Sequence, residues 1–168
     1  MDTTNIETYL NNFGQKVVDD AKANLQSDKG STAVGQSIRF EVVPTDTGFS
    51  TKFYMLDYGE FLDKGVSGNK EKRSFKNYKG QTQSSPYSYT SKGPPIDIIS
   101  KWIKKKGIEP KGLGRGRSKN TGQYISGFAY LISKKIKRDG IKSLSFFQQP
   151  FGIEYEKLQE GLLTKLKV

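Results

Sequence analysis

Three carboxylates, Asp57, Glu60 and Asp63, lie close together in the sequence, and Lys64 follows the last of them. Metal-dependent nucleases use carboxylates with a lysine, so this segment could support phosphodiester hydrolysis. The spacing matches no specific ligand pattern, however, and Asp63 and Lys64 could equally form a surface ion pair. The absence of Cys and His excludes a Cys nucleophile, a Ser–His–Asp triad and a Cys or His metal site. No catalytic set can be named, so we expect a protein without enzymatic activity or a cofactor.

A second candidate is binding, because aromatic and basic residues interleave between positions 72 and 89. Such interleaving suits single-stranded nucleic acid, through base stacking and phosphate contacts. It suits a protein interface equally well, since Tyr and Arg are common interface anchors. Further basic residues lie between positions 104 and 119. The candidate residues that face a partner, a neighbouring subunit or DNA are Lys72, Arg73, Phe75, Lys76, Tyr78, Lys79, Tyr87, Tyr89, Lys104, Lys105, Lys106, Arg115, Arg117 and Lys119.

The charge of the chain is concentrated in its middle third. The 168 residues include 28 Lys and Arg against 17 Asp and Glu, a net charge of +11. Residues 64–119 alone hold 15 of the basic and three of the acidic side chains. This asymmetry indicates an electrostatic partner, such as nucleic acid or an acidic protein face, although a solvated basic loop would have the same composition.

Periodicity predicts the elements of the N-terminal half. Apolar residues recur at spacings of three and four over positions 1–26, which predicts one amphipathic helix. Alternation predicts strands over 38–42 and 49–55, and the turn residues 44–48 between them favour an antiparallel hairpin. Residues 56–65 fit either a third strand or a short helix.

Three further helices are predicted in the C-terminal half. The first covers 94–106, begins at a Pro-Pro pair, and places Trp102 on an inward face with Ile99 and Ile103. The second covers 121–138 and buries Leu131 among other apolar residues. The last follows an extended aromatic stretch at 144–151. Together, these elements predict an α+β fold, in which a long N-terminal helix packs on a small antiparallel sheet, with two middle helices, a C-terminal helix and long basic loops.

The length predicts a single domain over residues 1–168, because domains usually contain ~100–200 residues. Extended polar loops are expected at 66–93 and 108–120, and we expect them to contact partners and to order only on assembly. No apolar run reaches the ~18–20 residues of a membrane span. The N-terminus has no secretory pattern. Neither a membrane nor a secretory route is therefore expected.

Three segments together resemble the head–tail joining proteins of phage virions, also called neck, tail-completion or head–tail connector proteins. Tyr58-Gly-Glu-Phe-Leu-Asp-Lys-Gly65 is similar to an aromatic strand of that family that ends in a polar residue and Gly. The stretch from Pro94 to Ile108 is similar to its Pro-Pro-led helix with a Trp, followed by Lys-Gly. The stretches 128–141 and 145–151 are similar to the last part of the family's sequence pattern, in which Lys-Ile, Gly-Ile and Phe-Phe follow in order. The stretch 66–93 is longer than in the family.

The resemblance implies a non-enzymatic structural protein that forms an oligomeric ring at the head–tail junction. Its partners would be further copies of itself, the portal or connector, and tail proteins, with packaged DNA possible through the basic loops. It would be made in the host cytoplasm and located in the virion. No catalytic residues carry over from the family. The alternative that the residues themselves leave open is a nucleic-acid-binding module that uses the basic segment 64–119.

Overall fold

Helices and short antiparallel strands both contribute to the fold, and the α+β prediction is confirmed. The computed structural model describes residues 3–27, 32–108, 115–117 and 124–166. The helices in these ranges are α1 (Thr3–Ser27), α2 (Thr32–Ser37), α3 (Gly59–Lys64), α4 (Ile96–Lys105), α5 (Gly127–Asp139) and α6 (Gln148–Leu166). The strands are β1 (Arg39–Thr45), β2 (Gly48–Tyr54), β3 (Ser74–Lys76), β4 (Thr82–Ser84), β5 (Arg115–Arg117) and β6 (Tyr124–Ser126).

The predicted hairpin is present and packs against α1. β1 and β2 pair in antiparallel register, with Arg39 opposite Tyr54 and Thr45 opposite Gly48, so that two residues form the turn. The Phe53 ring lies edge-on to the rings of Phe13 and Phe147, at centroid distances of 6.0 and 5.4 Å. Aromatic contacts of this kind add to the gain from burial. They therefore join the hairpin to α1 and to the start of α6.

The apolar face predicted for the first helix forms the main core. Val17 and Ala21 are completely buried in α1, and Leu25 is nearly so. Ile38 and Phe146 pack against the second half of this face, while Leu158 of α6 packs against the first half. Each large apolar side chain buried in this way contributes roughly 1.5–3 kcal/mol. The hairpin and α6 thus both pack against α1.

A second, smaller core lies between α4 and α5, where Ile99 and Ile103 pack with Ala129. Two sequence expectations are wrong here. Trp102 is 47% exposed and Leu131 is 48% exposed, although both were expected to face inward. Each helix carries apolar residues on more than one face, and a helix packed on one side buries only the residues of that side.

The boundaries of the last two helices differ from those predicted. Residues 124–126 form β6, which pairs with β5, and α5 begins only at Gly127. Tyr and Ile favour strands, and glycine weakens a helix, so the local preferences agree with this break. Residues 121–123 lie outside the described part of the chain. At the other boundary, α6 already begins at Gln148, inside the stretch expected to be extended.

The segment 66–93 is paired rather than structureless, which corrects the loop prediction. β3 and β4 form an antiparallel hairpin within it. Ser67 exchanges backbone hydrogen bonds with Tyr87 and Tyr89, both of 2.8 Å. These bonds form within one chain. Of the second expected loop, 108–120, the structure describes only residues 108 and 115–117.

Two distant stretches cross at the centre of the molecule, and we call this the Val66–Ile141 crossing (residues 62–68 against 138–145). The Val66 amide donates to the Ile141 carbonyl at 2.9 Å, and the Ile141 amide donates back at 2.7 Å. The Leu144 amide donates to the Leu62 carbonyl at 2.9 Å. A Cβ on Gly140 would collide with the Val66 carbonyl oxygen. The close approach of the two backbones therefore depends on the absence of a side chain at position 140.

Candidate functional site

The aromatic–basic segment does not present its rings as one stacking surface. Phe75 is only 7% exposed, which corrects its expected place on a partner-facing surface. β3 alternates in exposure, with Ser74 and Lys76 outward and Phe75 inward. A ring that is buried in the core cannot stack on a base or a partner.

Tyr87 and Tyr89 are held by contacts within the chain. The Tyr87 ring lies edge-on to Phe61 at a centroid distance of 4.5 Å, and its hydroxyl donates a hydrogen bond to Glu60. That bond raises the pKa of Tyr87 and lowers the pKa of Glu60. Tyr89 is half-buried, and burial raises its pKa. Both residues therefore stabilise the fold of the segment itself.

Tyr78 is the ring of the segment that borders an open cleft, and we call this the α6 cleft. It has a volume of about 390 Å³ and is lined by Tyr78, Lys79, Gly152, Tyr155, Glu156 and Gln159. Tyr78 is 40% exposed and stands edge-on to Tyr155 at 6.4 Å between centroids. The Lys79 ammonium lies 5.6 Å from the centre of the Tyr78 ring. The cleft thus has aromatic walls and one charge of each sign at its rim.

The basic residues of the segment have different roles. Arg73 is structural, because its Nε donates to the Asp139 carbonyl at 2.8 Å and so ties the segment to the end of α5. Lys72, Lys76 and Lys79 are exposed. These three lysines remain available to an anionic partner, whereas Arg73 does not.

The outer face of α4 was missed by the sequence analysis. Ile98 is 59% and Trp102 47% exposed, and Lys101 and Lys105 are exposed beside them. Positions 98, 101, 102 and 105 follow the i, i+3, i+4, i+7 pattern of one helix face. A helical projection of 96–105 would have separated this face from the inward pair Ile99 and Ile103.

Four of the remaining basic candidates belong to α4 and β5. Lys104 and Lys106 are exposed near the end of α4. Arg115 and Arg117 belong to β5, whose partner β6 contacts both α4 and α5, and Lys119 lies outside the described residues. Within the described ranges, the lysines at positions 101 and 104–106 form no ion pair. Their charge therefore remains available to a partner.

Asp63 holds the start of α6. Its side chain is 97% buried, since the residue is 3% exposed, and Oδ1 accepts hydrogen bonds from the amides of Phe147 at 2.8 Å and Gln148 at 3.4 Å. Burial raises the pKa of Asp63, while these hydrogen bonds act in the opposite direction. A carboxylate at a helix N-terminus satisfies amides that have no partner within the helix. The role of Asp63 is therefore to position α6.

The other two carboxylates of the group have separate environments. Glu60 bonds to Tyr87 and pairs with Lys64 at 3.5 Å, while Asp57 is exposed. Lys64 thus pairs with Glu60 and not with Asp63. Over the described ranges, no three Asp or Glu side chains come together as they would around a metal ion.

Comparison with protein-family models, curated proteins and solved structures finds no match for this chain. Among the helices that the structure describes, none has the length and apolar character needed to cross a bilayer.

Proposed function

We propose that this chain is a non-enzymatic structural protein of a phage virion. It assembles as a ring at the head–tail junction and docks the connector to the tail. The proposal rests on the resemblance of three sequence segments to the head–tail joining proteins, and on the way in which the fold combines these segments.

The observation that carries the proposal is that the three segments, which are far apart in the sequence, contact one another. The first contacts the third at the Val66–Ile141 crossing, where the amide of Ser145 donates to the Asp63 carbonyl at 3.0 Å. The second contacts the third where the Ser133 hydroxyl donates to the Pro94 carbonyl at 2.7 Å. Segments that resemble one family and also meet in space support the proposal, although the first of them forms α3 and not the strand that the resemblance implies.

The exposed surface supports assembly as the activity. Ile98 and Trp102 expose large apolar side chains next to lysines, and Tyr78 and Tyr155 line an open cleft. Aromatic anchors surrounded by charged residues are typical of protein interfaces.

The proposal predicts a discrete oligomer. We expect light scattering on the purified chain to give a mass that rises with concentration to a fixed multiple of 18.9 kDa, because a ring closes and then stops growing. Duplex DNA at physiological salt should not change this mass. A monomer or dimer that binds duplex DNA tightly at that salt would contradict the proposal.

A second candidate is a nucleic-acid-binding module, favoured by the unpaired lysines of α4 and the two arginines of β5 in one region. It predicts that replacing Lys104, Lys106, Arg115 and Arg117 with Gln strongly weakens duplex binding. Because each lost phosphate contact reduces the salt slope by ~0.9, the slope should fall by up to ~4.

The joining function predicts instead that this fourfold Gln variant keeps the oligomer mass of the wild type. Replacing the exposed Lys16, Lys52, Lys134 and Lys142 with Gln is a control of equal charge outside the segment 64–119. Loss of DNA binding in the first variant, with binding retained in the control, would favour the nucleic-acid module.

A further inference from the structure

The outer face of α4 has the composition of a protein interface. Trp102 is the only Trp of the chain, and with Ile98 it forms an apolar pair one helical turn apart. Lys101 and Lys105 flank the pair on the same face. In interfaces, a central Trp surrounded by charged residues is the usual arrangement of an energetic hot spot. A face of this composition suits a partner with an apolar cleft and a carboxylate.

The α6 cleft has these two properties. Tyr78 and Tyr155 form apolar walls, and the volume of about 390 Å³ has room for an indole ring. Gly152 forms part of the lining, where a Cβ would collide with the Tyr78 carbonyl oxygen. Any larger residue at position 152 would displace the wall that Tyr78 provides.

The charges around the cleft complement those of α4. Glu156 lies at the rim and is exposed, and the adjacent Ile153 is 55% exposed. Lys157 carries little net charge toward a partner, because it pairs with Glu154 at 2.6 Å. Lys79 is the opposing charge at the rim, so the lysines of α4 are expected to approach from the Glu156 side.

We propose that α4 of one copy docks on α6 of a second copy, with Trp102 in the α6 cleft and Lys105 paired with Glu156. This contact rests on the proposed ring and names its interface. The two surfaces belong to different elements, since α4 packs with α5 whereas α6 packs with α1. The proposed ring takes this contact in its head-to-tail form, in which every copy offers one free face of each kind to the next, as ring closure requires; a reciprocal two-fold dimer would give no species larger than a dimer.

A second copy fits this face better than duplex DNA does. Lysines alone would serve phosphates, but Ile98 and Trp102 gain nothing from contact with a phosphate backbone. Burial of both apolar side chains in an aromatic cleft removes them from water, which is favourable. The basic flank then provides specificity and faster association.

The absence of Cys from the chain allows a direct test with introduced thiols. In the double variant Lys105→Cys/Glu156→Cys, a short bismaleimide should link successive copies into a ladder of dimer, trimer and larger species. The matched control is Lys52→Cys/Glu71→Cys, which places thiols at another exposed lysine and another exposed glutamate. It should give no ladder.

Single-thiol variants test the head-to-tail geometry. Lys105→Cys alone and Glu156→Cys alone should not cross-link, whereas an equal mixture should give dimers only. Cross-linking of Lys105→Cys alone at the rate of the mixture would mean that α4 pairs with α4, and would overturn the proposal.

Substitutions test the energetics. Trp102→Ala should weaken association at least ~10-fold, an effect larger than that on thermal unfolding of the monomer, in which the side chain is about half exposed. Lys105→Glu and Glu156→Lys should each weaken association, and their combination should restore it. Lys79→Gln should strengthen it, because this change removes a repelling charge from the cleft.

The outcomes separate this inference from the proposed function. A fixed oligomer mass without a ladder would show that the ring forms through other faces. A ladder of equal strength in the control would show random collision. A chain that stays monomeric at the highest concentration and gives no ladder would overturn the self-docking, and DNA binding would then decide between the two proposed functions.

Discussion

Gly140→Ala is expected to lower the free energy of unfolding by roughly 2–5 kcal/mol, the sum of a left-handed backbone penalty and an overpacking penalty. Gly140 has a φ of +72°, and the added Cβ would meet the Val66 carbonyl oxygen and the Gly68 amide nitrogen. The Val66 carbonyl oxygen accepts a hydrogen bond from the Ile141 amide, and the Gly68 amide donates one to the Glu71 carbonyl, so moving either atom would disturb a hydrogen bond. Urea unfolding followed by circular dichroism measures the loss.

Gly80 provides the matched control for this change. It has the same φ of +72°, but nothing lies within 4 Å of an added Cβ. Gly80→Ala therefore incurs only the backbone penalty, about 1–2 kcal/mol. The difference between the two variants isolates the collision. Equal losses at both positions would mean that the crossing is not as close as described.

Asp63→Ala is expected to cost about 2–3 kcal/mol, because two amides at the start of α6 lose their shared acceptor. Asp63→Asn should cost less, since the amide oxygen can still accept from Phe147. Asp57→Ala is the control, because Asp57 is exposed in the same stretch, and it should stay within about 0.5 kcal/mol of the wild type. Denaturant unfolding of the three variants measures these differences.

The raised pKa of Asp63 gives this prediction a pH dependence. Its folded pKa lies above the unfolded value of ~3.9, so the folded state takes up a proton first as the pH falls. As the pH falls from 7 to 4, the wild type should gain stability relative to Asp63→Asn. It should lose this added stability as the pH rises through the folded pKa of Asp63. A wild type that loses stability relative to Asp63→Asn over this range would show that the hydrogen bonds outweigh the burial of the charge.

The sequence predicts those parts of the fold that depend on local periodicity. α1 has one apolar stripe, and the structure buries that stripe at Val17, Ala21 and Leu25. The hairpin follows from alternation on both sides of a turn. In each case, neighbouring residues along the chain determine which side chains face the core, so a window of the sequence is sufficient.

The candidate site was less predictable, because it depends on contacts between distant residues. In the sequence, Phe75 cannot be distinguished from an exposed aromatic residue among lysines. Its burial follows only from the packing of β3 against the rest of the chain. Trp102 has apolar neighbours on both sides of its helix, and only the position of α5 decides which side is buried. The sequence does not identify Glu156 as a candidate, because its cleft is completed by Tyr78 from another segment.

The Val66–Ile141 crossing also determines how far the chain can fold while the ribosome is still synthesising it. α1 and the β1–β2 hairpin emerge first, at ~5–20 residues per second, with their apolar faces open to water. Phe146 and Leu158, which pack against these faces, are synthesised only after all the elements between them and the hairpin. Contacts between residues so far apart also form slowly. The unfinished chain therefore exposes core surface until these residues are made, and fragments that end before position 141 should be bound by chaperones or degraded rather than accumulate.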